Sequence, residues 1–128
     1  MKNARVAAVL TWGYVAAFGI PAIPVSVYLL QRGELPTFLD LFPMYGGPWS
    51  TSLGPGTFIM LLIAFLFLTL VAAWAARMAW KGSKTGAAIG LVLLPVEAVF
   101  WLGFALPFPW LIGIARAVFI ALAWKALD

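Results

Sequence analysis

The chain has no cysteine and no histidine among its 128 residues, and only 8 lysines and arginines and 4 aspartates and glutamates. The first two absences exclude disulfides, thiol redox chemistry, histidine-ligated haem and the usual zinc sites, so no metal or cofactor is expected. The common general base near neutral pH is missing as well. The few carboxylates form no cluster. An enzyme acting on lipid would have to draw on Glu34, Asp40, Tyr45, Ser50, Thr51 and Ser52 of a single loop, and catalysis is not expected. The net charge of +4 comes from basic residues at the ends of apolar stretches. Membrane topology accounts for that placement, and no nucleic-acid partner is expected.

What the chain does contain is apolar. Hydrophobic residues make up 65% of it and charged residues 9%, with a mean hydropathy of +1.06. A soluble domain carries about 25% charged residues. Such a composition cannot cover a water-facing surface, so lipid is expected as the solvent. The expected fold is an all-α integral membrane protein, one domain over 1–128. It is a bundle of four transmembrane helices at about 6–30, 57–80, 86–106 and 110–127, with one long loop at 31–55. The start, Met-Lys-Asn-Ala-Arg before an apolar run, has the look of a signal peptide. No small-x-small cleavage site and polar continuation follow, so a retained span is expected.

The first span carries Gly19, Pro21 and Pro24 near its middle. Each proline lacks an amide hydrogen, which deprives the carbonyls of Ala17 and Ile20 of their helical donors. The helix should kink or open there, its freed carbonyls satisfied by packing, water or a ligand. In the loop, Pro36 should start a short helix that Pro43 stops. Phe38, Leu39, Phe42, Tyr45 and Trp49 suggest a segment at headgroup level or folded over the bundle, with contact to a partner as the alternative.

The second span has neither charge nor proline from Phe58 to Ala76, and its Thr69 can bond back to its own helix. Pro95 should kink the third. Gly86 and Gly90, and then Gly113, Ala117 and Ala121, form small-residue faces suited to close helix contact within one subunit or between copies. Trp12, Trp80, Trp110 and Trp124 fall near span ends, as interfacial aromatics do, whereas Trp74 and Trp101 lie deeper.

Lysine and arginine placement sets the orientation. Lys2, Arg5, Arg77, Lys81, Lys84 and Lys125 all fall on one side, so both termini should be cytoplasmic and the long loop extracytoplasmic. With no targeting segment, a bacterial inner membrane is the expected location.

Glu97 and Arg116 are the two charges deep inside the apolar stretches, ten residues before and nine after the Pro107 turn. Both then lie about 10–15 Å inside a hydrocarbon core about 30 Å thick. Either alone would cost about 2.5–3.5 kcal/mol at that depth. A guanidinium and a carboxylate can cancel that charge through parallel hydrogen bonds, so a direct Glu97–Arg116 ion pair facing the interior is expected. It serves either as a clamp that fixes helix register or as one wall of a midplane site. That site would add Tyr14, Gly19, Pro21 and Pro24, with Ser26 on the same span, and would hold a small polar or amphipathic ligand or relay a proton through Glu97.

The functional expectation is therefore a protein that binds or transports such a ligand. The alternative is a non-catalytic accessory or assembly subunit of a larger membrane complex, its partner a second copy or another membrane subunit. In size and span number the chain resembles the small multidrug transporters. Their essential glutamate lies in the first span, where this chain has no carboxylate, so their activity is not carried over.

Overall fold

A computed structural model of the chain describes residues 2–32, 37–38, 42–43, 45–49, 54–104 and 108–128. The expected helix start at Pro36, the loop residues Glu34, Leu39, Asp40, Ser50, Thr51 and Ser52, and the Pro107 turn lie outside the described residues.

Four helical stretches among the described residues are long and apolar enough to cross a membrane. The first is a rod from Lys2 to Arg32, made of α1 (Lys2–Tyr14), one wide turn (Val15–Gly19) and α2 (Ala22–Arg32). The others are α3 (Pro55–Trp80), α4 (Lys84–Phe104) and α5 (Phe108–Ala123), the last extended by a tight turn to Ala126. Several helices begin before the apolar runs they carry. Backbone hydrogen bonding does not stop where hydropathy does, and the terminal lysines and arginines ride on the same helices.

Helix α1 packs against both α3 and α5, α3 against α4, and α4 against α5, which closes a four-sided bundle. Helix α2 packs mainly on α3. The core has two parts. One is aromatic, around Tyr14, Phe58, Phe65, Trp101 and Phe104. The other is built of alanines, Ala4, Ala7, Ala79, Ala87 and Ala123, with Ile120 and Leu127. Small residues there let the helices approach closely. Outward, large apolar side chains such as Leu30, Met60, Phe67, Val92 and Leu111 are largely exposed.

The first rod opens near the place the prolines mark, by a wide turn rather than a simple kink. The wide turn is a π-turn just before Pro21, with the Ile20 amide donating to the Val15 carbonyl at 2.9 Å. The Ile20 carbonyl, expected to lose its donor to Pro24, accepts instead from the Ile23 amide at 3.1 Å. One extra residue in the turn lets the chain absorb two missing donors. Helix α4 runs on through Pro95 without a break.

The short helix expected from Pro36 to Pro43 is replaced by an antiparallel pair, β1 (Thr37–Phe38) and β2 (Phe42–Pro43), with Phe38 opposite Phe42. A helix of so few residues barely repays its nucleation, whereas threonine and phenylalanine favour extended pairing.

The turn after α3 uses Gly82 at φ 93°, a left-handed position that suits glycine. The amides of Gly82 and Ser83 close the helix end on the Ala79 and Met78 carbonyls, both at 3.0 Å. Ser83 Oγ then accepts from the Gly86 amide at 3.2 Å and caps α4. Asp128 is tied to the same turn through Gly82 and Lys84, at 2.9 and 3.0 Å. The two chain ends and the basic turn thus share one end of the bundle.

Candidate functional site

Glu97 on α4 and Arg116 on α5 point inward, with 0% and 2% of their surface exposed. Arg116 Nη2 donates to Glu97 Oε2 and, at 3.1 Å, to the Gly90 carbonyl one face up on α4. This is the one salt bridge among the described residues. Its arginine thereby grips α4 at two points seven residues apart, which fixes how α4 and α5 slide and rotate against each other.

Tyr14 joins this group from α1. Its hydroxyl accepts from Trp101 Nε1 at 2.9 Å and lies near enough to Glu97 to interact with the carboxylate. The Trp101 ring stands edge-on to Tyr14 and rests on Gly113, where a Cβ would come within 2.7 Å of its Cη2. Gly113 is therefore the recess in α5 that admits the indole and lets Tyr14, Trp101, Glu97 and Arg116 share one layer.

The other expected site residues lie elsewhere. Gly19 faces Thr69 of α3, in a contact too close to admit a side chain at Gly19. Pro21 is half-buried and Pro24 is exposed. Ser26 lines a groove between α2 and α3 whose other walls include Ile23, Ile59 and Leu66. Thr69 and Thr11 bond back to carbonyls of their own helices, at 2.7 and 2.9 Å. The structure brings Tyr14 to the charge pair and leaves Gly19 against α3, with Pro21 half-buried and Pro24 on the outer surface.

Little space remains beside Arg116 among the described residues. The cavity that touches Arg116, Gly90 and Ile120 on one side and Ala7, Thr11 and Ala76 on the other has a volume of about 10 Å³. That is about the least that admits one water molecule. Glu97 Oε1 and Arg116 Nε have no hydrogen-bond partner among the described residues. No cluster of acidic, histidine or cysteine side chains among the described residues is arranged to hold a metal ion.

No family model, curated protein or solved structure matches this chain.

In the sequence Tyr45 stands out as a loop aromatic and as one of the few loop hydroxyls, and its role in the structure is more specific. It sits at φ 58°, unusual for a non-glycine residue, and only 3% of it is exposed. Its hydroxyl donates to the Phe18 carbonyl in the π-turn, and its ring stands edge-on to Phe65 and Phe104. Burial pushes the hydroxyl pKa up, so it stays protonated and remains a donor. Trp49 closes the same end against Phe100 and Phe104 and lies over Gly103. The only signal for this in the sequence was an aromatic residue in a loop opposite a helix with missing donors. Tyr45→Phe should keep the packing and leave the Phe18 carbonyl without its donor, a loss of about 1–3 kcal/mol. Thermal unfolding in detergent, with faster hydrogen exchange confined to residues 15–23, would register it; unchanged exchange there would remove Tyr45 from this role.

Proposed function

We propose that the four long helices cross a lipid bilayer, with both chain ends and the 81–84 turn on the cytoplasmic side, and that the protein serves as a non-catalytic accessory or assembly subunit that works through its outer surface. The observation that carries this reading is the filled interior. A cavity of about 10 Å³ beside Arg116 offers a solute neither a binding volume nor a path there. Its broad exposed apolar surface is what lipid or another membrane helix would cover. The gathering of Lys2, Arg5, Arg77, Lys81, Lys84 and Lys125 at one end supports the orientation. On this reading the Glu97–Arg116 pair is an internal clamp, and a bacterial inner membrane remains the proposed location.

The absence of native cysteine makes the test direct. In vesicles, Ala87→Cys, at the wall of the small cavity, should resist a water-soluble maleimide, while Lys84→Cys at the turn should react from the cytoplasmic side. Purified gently from its native membrane, the chain should migrate with a defined partner rather than alone. Labelling of the cysteine at 87 would overturn the closed interior.

One observation favours a second reading, the binding or transport of a small polar ligand. Glu97 Oε1 and Arg116 Nε are both buried without hydrogen-bond partners among the described residues, and such atoms suit a proton or a small polar group. That reading requires an open form of the bundle, and the same cysteine would detect it.

A further inference from the structure

We propose that the outer face of α1, at the end where the chain termini meet, is a binding site for one anionic phospholipid. A groove of about 450 Å³ runs along this face, lined by Lys2, Arg5, Val6, Val9 and Leu10 with Trp80 of α3. Its chemistry is ordered along the helix. The two cations stand at the mouth, and the apolar residues follow one to two turns further in, about 6 Å beyond Arg5 at Val9. A phospholipid has the same order, a charged phosphate followed by acyl chains.

The mouth is held in shape. The Arg5 guanidinium stacks over the Trp80 ring at 4.9 Å, and Trp80 packs against Trp12 at 5.5 Å. Trp12 is itself anchored by its Nε1 to the Ala73 carbonyl at 3.1 Å. Stacking leaves the in-plane N–H groups of a guanidinium available to phosphate oxygens. No carboxylate among the described residues pairs with Lys2 or Arg5. The first amides of α1 add partial positive charge at the same place. A neutral lipid would gain the apolar contacts but not the match in charge, and a free phosphate would gain the charge but not the groove.

The proposal rests on the bilayer reading and deepens it, since it names what one part of the outer surface holds. The full chain in detergent is titrated with dioleoyl phosphatidylglycerol or dioleoyl phosphatidylcholine, and retained lipid is counted by native mass spectrometry. One phosphatidylglycerol should be retained in preference to phosphatidylcholine. The double variant Lys2→Gln/Arg5→Gln should lose on the order of thirtyfold in affinity for it. Lys81→Gln/Lys125→Gln, with the same change in net charge, should bind as the parent chain does. Val9→Trp, which fills the groove while keeping both cations, should also reduce retention.

Equal retention of the two lipids, or unchanged binding by Lys2→Gln/Arg5→Gln, would overturn the proposal. So would displacement of the lipid by soluble glycerophosphate, which would reveal a bare anion site. Flotation with pure phosphatidylcholine vesicles separates this failure from failure of the parent reading. A chain that floats but shows no headgroup preference overturns the lipid site alone; one that does not float overturns both.

Discussion

Arg116→Leu should destabilise the bundle by about 3–5 kcal/mol, because it strands the Glu97 carboxylate in an apolar interior. Glu97 is fully buried and Arg116 is its one ionic partner among the described residues. The reverse change, Glu97→Leu, strands the guanidinium and should cost a similar amount. The double variant should recover most of either loss, since two leucines remove both buried charges together. Recovery should fall short of complete because Arg116 also donates to the Gly90 carbonyl. Hydrogen bonds between membrane helices average about 0.6 kcal/mol, which sets the scale of the shortfall. Reversible unfolding in mixed micelles of the four proteins of this cycle gives the coupling directly. Losses that simply add would mean that the two residues act separately. Glu97→Gln is the informative intermediate: it keeps the shape and an acceptor but removes the negative charge, so a loss there isolates the ionic part.

Gly86→Ala should be strongly disruptive for a single added methyl, at a cost of about 1–3 kcal/mol. At Gly86 an added Cβ would overlap Met78 Cβ and come within 2.9 Å of the Ala75 carbonyl oxygen and 3.0 Å of the Ala79 amide nitrogen. Two of these are backbone atoms of α3 and the third is a Cβ that any residue but glycine carries. No rotamer change relieves the overlap; α3 and α4 must separate. Met78→Ala should therefore fail to rescue Gly86→Ala, although it shortens the side chain, because the offending carbon remains. Gly13→Ala is the control. It has no atom within 4 Å of an added Cβ, and alanine is the better helix former. Melting temperatures in a single detergent should then fall for Gly86→Ala and hold or rise for Gly13→Ala. Similar behaviour of the two would show that α3 and α4 are not in such close contact.

Both predictions turn on facing, and facing is where the sequence was least informative. Helix α4 is apolar almost all round, with Val92, Val96, Val99 and Leu102 outward and Gly86, Ala87, Gly90 and Trp101 inward. No polar stripe marks one side, so hydropathy cannot say which way Glu97 turns. Glycine and tryptophan on the inner face carried a faint signal, since each makes sense only against a partner of complementary size. The small-residue face on α5 was half informative: Gly113 receives Trp101, while Ala121 is exposed. Proline counting correctly marked the middle of the first rod as irregular. It pointed to the carbonyls of Ala17 and Ile20, yet the one captured from outside belongs to Phe18. The π-turn shifts the register by a residue, and the donor to the Phe18 carbonyl comes from Tyr45, twenty-seven positions away along the chain.

The sequence by itself determined how many long apolar helices there are, where they run and how far along them Glu97 and Arg116 lie. Uninterrupted runs such as Phe58–Ala76 favour one long helix, and helical rise converts residue number into position along it. Only the tertiary structure decided which faces meet, that Tyr14 rather than Gly19 or the prolines accompanies the charge pair, and how little space is left beside Arg116. Hydropathy is a property of single residues summed along a helix, whereas facing and enclosure arise from the fit of side chains brought together from four helices.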